Sequence, residues 1–380
     1  MPNLQLHSFS GSHREIGFQQ GQAVRETIQQ ALEQIPEFEL IKLMKPKLLP
    51  TSLFLTLAKR RAAKLLRKDI YEFYPRQALR LEGIAEGAEI DMKTAFFLQS
   101  MELLIGKPSF HIPACTSLWF SPQRTSTKEH ILAKNFDYLN LLAPGNLTCK
   151  TEATEGYRTL GCTMAPLPGM LDGMNEQGLT VTYNLAFSTD QPTCYAPISM
   201  ALQEMLETCK NTDEAVKFIT QAKQGGHDAL LTIADAEGTA RTVEITSIHS
   251  ATREPVDGQI VNTNHFHTKE MQRYEIPHNA VYSGKVPEAL QGLRIHESSE
   301  QRLNRAQELL KRKPKINESK IASILRDHDK DDKPSMLTIC RHDKDFSSTL
   351  RSMIFHPKTK TMKVLYGNPC QNEYSEFRFS

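Results

Sequence analysis

The spacing of apolar positions changes near residue 110. Up to that point the apolar residues recur at helical intervals, and residues 1 to about 110 read as mainly helical. Ser12 and Glu15 form a capping box at the head of REIGFQQGQAVRETIQQAL. Gly17 and Gly21 lie four apart, on one face of that helix. Glycine inside a helix costs about 1 kcal/mol relative to alanine, so the pair predicts close packing against another backbone. Lys42 to Lys68 becomes a basic amphipathic helix after Pro50. It reads either as a surface for membranes or acyl chains, or as a helix that packs its Leu face inward and keeps Lys and Arg in water. Further helices are predicted in PRQALRLEGIAEGAEI and DMKTAFFLQSMELLIG.

After Pro113 the pattern shifts to strands. ILAKNFDYL, GLTVTYNLAF and TVEITSI alternate or run apolar, and Leu179, Val181, Tyr183 and Leu185 share one face. ALLTIADAEGTARTVEIT reads as strand, turn and strand, with Ala-Glu-Gly at the turn. MLTICRH is predicted as a strand, and LRSMIFHPKTKTMKVLYG as a hairpin turning at Pro357 to Lys360. Helices are predicted at Pro197 to Cys209, Asp213 to Lys223, Ser299 to Lys311 and Glu318 to Asp327, the third opened by a Ser298/Gln301 capping box. Strands joined by hairpins give a mainly antiparallel sheet and an α+β protein.

The chain has 380 residues, enough for two or three domains or one large domain with an appendage. Hydrophobic content is 39% and charged content 24%, the balance of a globular chain. A net charge of +2 leaves no surplus of cations to neutralise phosphates, which argues against a nucleic-acid binder. MPNLQLHSFSG lacks the apolar core of a secretory signal, and no run reaches the ~18 apolar residues of a membrane helix. The cysteines stand at 115, 149, 162, 194, 209, 340 and 370 with no CxxC pair, so no zinc site is expected and a reducing cytoplasm fits.

The stretch ACTSLWF sets Cys115 between Ala114 and the hydroxyls of Thr116 and Ser117. Four further motifs follow it: Lys134-Asn135-Phe136-Asp137-Tyr138, GMNEQGL from Gly173, Val261-Asn262-Thr263-Asn264-His265-Phe266, and Ser298 to Arg302. In this order they resemble the acyl-CoA:6-aminopenicillanate (isopenicillin N) acyltransferase family of N-terminal-nucleophile hydrolases. More distantly, the chain is similar to choloylglycine hydrolases and acid-ceramidase-like amidases.

That resemblance implies a four-layer αββα sandwich over residues 115–380, preceded by a helical leader over 1–114. It implies that the precursor cuts itself at Ala114–Cys115, where the family often has Gly before the Cys, and so yields two chains. A free thiol has a pKa of about 8.5 and needs a base. Scission would supply one, the α-amine of Cys115 itself, held in place at almost no entropic cost. By the same resemblance Asp137 holds that amine, Asn264 supplies the oxyanion donor, Asn175 presents an amide or orients substrate, and Arg302 supports the carboxylate network. Lys134 stands where the choloylglycine relatives carry Arg, and a point charge does not replace a planar fork of donors. No cofactor and no metal is implied. The substrate implied is a small linear amide, such as an N-acyl amino acid, an acylated amine or a penicillin-type side-chain amide, with acyl-CoA as a possible acyl donor.

Two other readings stand beside this one. An uncut, non-catalytic relative would bind amphiphiles or a membrane through the basic 42–68 helix. A papain-like set would join Cys115, His265 and Asn264, although the Gln before the Cys and the Cys-Gly-Ser signature of such enzymes are absent.

Overall fold

Ser12 starts the first helix as its sequence predicts. Its Oγ accepts the Glu15 N–H at 3.3 Å, and the Glu15 carboxylate accepts the Ser12 N–H at 2.7 Å. The protein is seen in a computed structural model that describes residues 4–105, 114–223, 228–311, 315–343 and 346–379. The leader runs through β1 (Leu6–Gly11), α1 (His13–Ala23), α2 (Arg25–Gln34), α3 (Glu39–Met44), α4 (Thr51–Phe73), α5 (Pro75–Gly87) and α6 (Met92–Ile105).

The glycines of α1 do what their spacing predicts. A Cβ on Gly17 would collide with the Arg80 carbonyl oxygen, and one on Gly21 with that of Ile84. Helix α5 answers with glycines of its own, since a Cβ on Gly83 or Gly87 would strike the carbonyls of Arg14 or Phe18. The basic helix α4 buries Ala62, Leu66 and Ile70 at four-residue intervals and leaves Arg61, Lys64, Arg67 and Lys68 exposed. It packs on α6, so the inward-packing reading holds for its second half, while Leu53 and Leu57 in its first half are exposed. Among the described residues no helix is long and apolar enough to cross a membrane.

The helical reading of the leader misses β1. That strand pairs in parallel with β4 (Asn146–Ala153) at the edge of an eight-stranded sheet. The sheet continues through β5 (Thr159–Met164), β6 (Asp172–Asn175), β7 (Thr180–Ala186), β8 (Asp228–Ala234), β9 (Ala240–Ile245) and β10 (Ser250–Arg253), in that order and antiparallel. A second, six-stranded sheet runs β11 (Gln259–Asn262), β2 (Thr116–Phe120), β3 (Ile131–Leu139), β12 (Ser347–His356), β13 (Thr361–Tyr366) and β14 (Ser375–Arg378), all antiparallel.

Alternation along β2 shows how the sheets stack. Leu118 and Phe120 face outward into a cluster with Ala306, Ile321 and Ile324, on α9 (Glu297–Leu310) and α10 (Glu318–Leu325). Ser117 faces the other way, and its Oγ donates to Asn184 Oδ1 on β7 of the opposite sheet at 2.5 Å. On the far side of the first sheet lie α7 (Ile198–Thr208) and α8 (Thr212–Gln221). The α+β, four-layer αββα arrangement is therefore the one the resemblance implies.

Two local expectations fail. MLTICRH forms turns and bends rather than a strand, because its backbone is engaged elsewhere. The Cys340 N–H donates to Asp327 O at 3.0 Å, and Arg341 N–H to Thr349 Oγ1 at 3.0 Å. The Ser298 hydroxyl donates to Met336 O at 3.1 Å instead of capping α9, which has no side-chain cap.

A buried polar cluster fastens the leader to the core. Arg80 Nη2 lies 2.7 Å from Glu207 Oε1, and His13 Nε2 lies 3.1 Å from Glu207 Oε2. Burial would raise the Glu207 carboxyl, but Arg80 and His13 outweigh it and hold it below its ordinary range. The packing of α1 on α5 predicts that Gly17→Ala lowers stability by about 1–3 kcal/mol. Chemical denaturation of the variant should show this, whereas an alanine at the exposed Glu86 should change little.

Candidate active site

Cys115 immediately precedes β2, where strand pairing fixes its surroundings. Thr116 is opposite Asn135 on β3. One further step along that antiparallel register puts Cys115 beside Phe136 and the Ala114–Cys115 bond beside Asp137. The Asp137 backbone N–H donates to the Cys115 sulfur. Both Ala114 and Cys115 are buried. Burial pushes the thiol up, as do Asp137 and Asp172, while Lys134 and the Asp137 N–H pull it down. The net shift is upward, so with its nitrogen in a peptide bond the sulfur stays protonated at neutral pH.

Asp137 sits opposite Thr349 of β12, at an irregularity in the register before Arg351. That pairing lets the Thr349 hydroxyl donate to Asp137 Oδ1 at 2.6 Å. The second carboxylate oxygen, Oδ2, is buried without a hydrogen-bond partner among the described residues. Burial raises the carboxyl to about 6, against the opposing pull of Arg302, Thr349, Arg341 and Lys134.

Arg302, on the second turn of α9, joins the pieces. Its Nη1 donates to Cys115 O at 2.6 Å and to Thr116 Oγ1 at 3.0 Å. Nη2 donates to Asn264 Oδ1 at 2.8 Å, and Nε to Ser298 Oγ at 3.2 Å. The guanidinium is fully buried, which lowers it to about 10 despite the nearby Asp137. Because Asn264 Oδ1 accepts from Arg302, the amide orientation is set, and Nδ2 donates to Leu185 O at 2.7 Å with one hydrogen remaining. Cys115, Asp137, Asn264 and Arg302 thus form one connected group.

Asn175 stands apart from it. Its Nδ2 donates to Leu206 O and Cys209 O at 2.8 and 2.7 Å, and its Oδ1 accepts from the N–H groups of Gln177 and Leu179 at 3.0 and 3.1 Å. This full set of bonds ties the β6–β7 turn to the end of α7 and leaves the amide no free hydrogen. Asn262 also turns away, with Nδ2 donating to Thr232 and Thr242 and Oδ1 accepting from Arg253. His265 Nδ1 is 2.7 Å from Ser299 Oγ, and no described hydrogen bond joins the imidazole to Cys115. The papain-like set is therefore not assembled.

Three polar residues at the site went unassigned in the sequence. Lys134 is fully buried between the sheets, paired with Asp172 at 2.5 Å and bonded to the Tyr183 carbonyl, and it acts on Cys115 through its charge. Asn184 accepts from Ser117 and donates to Asn262 O and Thr263 O at 3.2 and 3.0 Å, so it sets the chain leading to Asn264. Arg341 is fully buried, and none of its guanidinium nitrogens has a hydrogen-bond partner among the described residues. Burial lowers it, while Asp137, Tyr282, Asp343 and Cys115 act in the opposite direction. A polar residue amid apolar strand positions was the available signal for Asn184. For Arg341 there was none, because it lies in a segment that reads as a strand.

An apolar cavity of about 170 Å³ opens at Phe136 and Tyr138, and none of the four connected residues lines it. Ile28, Ile35 and Leu98 of the leader form one wall, and Phe136, Leu142 and Leu171 of the core another. Phe136 and Tyr138, which flank Asp137, both line it. The loops at 139–145 and 164–171 complete it.

Residues 124–371 match the model of a known family, acyl-coenzyme A:6-aminopenicillanic acid acyl-transferase. No curated protein matches the chain. Among solved structures, a variant of the conjugated bile acid hydrolase from Clostridium perfringens is similar at 15% identity and a TM-score of 0.45, over 70% of this chain and 97% of that one. The N-acylethanolamine-hydrolyzing acid amidase ortholog of Caenorhabditis elegans is 16% identical, over 64% and 93% of the two chains, with a TM-score of 0.42. Penicillin V acylase from Agrobacterium tumefaciens is 17% identical, over 66% and 83%, with a TM-score of 0.44. Since the family model spans well over half of the sequence, the chain belongs to the acyl-coenzyme A:6-aminopenicillanic acid acyl-transferase family.

Proposed function

We propose that this protein is an amide hydrolase or acyltransferase with Cys115 as its nucleophile, and that it activates itself by cutting Ala114–Cys115. The observation that carries this reading is the Arg302 clamp, which ties the Cys115 carbonyl to Asn264 while the Asp137 N–H meets the Cys115 sulfur.

In the first step the Cys115 sulfur attacks the Ala114 carbonyl carbon. A C–S bond forms, the C–N bond breaks, and the departing nitrogen takes up the thiol proton. Water then cleaves the thioester, leaving a carboxylate on Ala114 and a free thiol and α-amine on Cys115. That amine has a reference pKa of about 7.7–8.0 and sits on the nucleophilic residue itself. The unpartnered Asp137 Oδ2 is the acceptor for its ammonium form.

With an amide substrate the amine takes the thiol proton as sulfur attacks the carbonyl. The remaining Asn264 N–H stabilises the tetrahedral oxyanion, a contact worth roughly 2.7–4 kcal/mol. The ammonium then protonates the leaving amine and a thioester remains. Water resolves it in hydrolysis, and a second amine resolves it in transfer. The acyl group occupies the 170 Å³ cavity, about the size of an interior cavity that holds a benzene ring. The substrate is then a linear amide with a short or aromatic acyl group. Arg341, a buried cation whose guanidinium has no hydrogen-bond partner among the described residues, receives a carboxylate on the amine side, which favours N-acyl amino acids.

Three outcomes follow. Mass spectrometry of the wild-type protein should show chains 1–114 and 115–380, and Cys115→Ala should stay whole and hydrolyse no amide; an active but uncut wild type would refute the scission. The cleavage rate should rise as pH passes about 6, where Asp137 ionises, and climb further as the thiol ionises. Asp137→Asn should remove the lower step. Arg341→Gln should raise KM for N-acyl amino acids about tenfold or more, the effect of losing a buried charge-assisted bond. It should leave KM for carboxylate-free amides nearly unchanged, and an equal loss on both would exclude the carboxylate role.

A further inference from the structure

Four side chains outside this chemistry meet where the segment after α10 passes the chain leaving β13. His328, Cys340, His342 and Cys370 each offer one ligand atom, and those atoms lie within 4.8 Å of one another. His342 Nε2 is 3.4 Å from Cys340 Sγ and 3.2 Å from Cys370 Sγ. In a tetrahedral zinc site, with sulfur at about 2.3 Å and nitrogen at about 2.0–2.1 Å, adjacent N and S ligands are about 3.5 Å apart. Both nitrogen–sulfur distances are therefore already near ligand-to-ligand spacing.

His328 supplies a second, independent observation. Its Nδ1 is 3.0 Å from Asp332 Oδ1, while its Nε2 is buried with no hydrogen-bond partner among the described residues. An imidazole that donates its Nδ1 hydrogen to a carboxylate presents the Nε2 lone pair to a metal, the usual outer support of a metal-bound histidine. The rings of His328 and His342 meet edge to face, 5.0 Å between centroids.

We propose that these four residues bind a structural Zn²⁺ ion. Two thiolates and two imidazoles suit zinc, whereas magnesium and calcium require oxygen ligands. Four protein ligands fill a tetrahedral shell and leave no position for substrate, so the site is structural rather than catalytic. Binding replaces two S–H bonds with two Zn–S bonds and releases two protons. The sequence gives no expectation of this site because the cysteines form no CxxC pair. Its ligands are Cys340-x-His342 and two single residues brought in from 328 and 370.

The ion would fasten a segment that lacks regular secondary structure to the chain leaving β13. Arg341 lies between two of the ligands, and Arg305 grips the neighbouring Asp327 through both carboxylate oxygens at 2.8 Å. The proposal stands whether or not Cys115 is a nucleophile.

The test begins with the full chain, purified without chelator, its metal measured by plasma mass spectrometry. About one zinc per chain is expected, falling to below about 0.2 in Cys370→Ser. Cobalt exchanged into the wild type should give the intense d–d bands and thiolate charge-transfer band of a tetrahedral Co²⁺–thiolate site. This reading does not depend on the variant folding. A folded wild type with only trace metal and no such cobalt spectrum would overturn the proposal. So would zinc that persists undiminished in folded Cys370→Ser, or a Cys340–Cys370 disulfide as the main state of the freshly purified chain.

Discussion

The buried Arg302 guanidinium finds its acceptors inside the protein, and the fold around it is organised by them. The acceptors come from three stretches remote in sequence: Cys115 and Thr116 at the entry to β2, Asn264 past the end of β11, and Ser298 one turn earlier on α9. Removing one partner of a buried ion or polar network costs about 3–5 kcal/mol, because the remaining charge stays out of water. The Cys115 backbone and the Asn264 amide are therefore positioned by a shared requirement rather than each by its own loop. Asn264 passes the constraint on to the opposite sheet through Leu185 O, and Asn184 does so through the two carbonyls before Asn264.

The balance of buried charge around the candidate site has the sign the proposed chemistry needs. Lys134, Arg302, Arg341 and Arg351 are buried there with Asp137 and Asp172. Asp172 is shared, 2.5 Å from Lys134 and 3.2 Å from Arg351. Cations outnumber carboxylates in this group, and in a medium of low dielectric such an excess acts strongly on any negative charge that forms. A thiolate, a tetrahedral oxyanion and a substrate carboxylate are all such charges. Donors and cations fixed before the reaction need not reorganise during it. The cost appears in Asp137, whose carboxyl burial raises to about 6 even with two arginines nearby.

What the sequence disclosed follows the range of the interactions. The Ser12–Glu15 box, the glycine face of α1, the Ala-Glu-Gly turn and the Pro357 to Lys360 hairpin depend on neighbours in sequence, and they appear where expected. Cys115, Asp137, Asn264 and Arg302 were legible through a pattern of short motifs, and the structure joins them. Features that depend on distant partners were not legible. Strand β1 has a partner about 140 residues further on, in β4. MLTICRH has the apolar alternation of a strand, but its backbone bonds go to Asp327 and Thr349. Asn175 has the composition of an active-site amide, yet four backbone groups consume its capacity. Ser298 looked like a helix cap and instead supports Arg302.

The leader cannot be separated from the site it precedes. It supplies one wall of the apolar cavity, the edge strand of the larger sheet, and the Arg80 and His13 partners of Glu207 in α7. None of these contacts runs through the Ala114–Cys115 bond. A break there would free the Cys115 nitrogen, while the strand ladder, the buried ion pair and the packing of α5 on α7 continued to hold residues before the cut against residues after it. Scission would then change the chemistry of one residue and leave the pocket beside it standing. A loosely attached leader would not allow this, because its departure would open the cavity and expose the buried Glu207 without its cations.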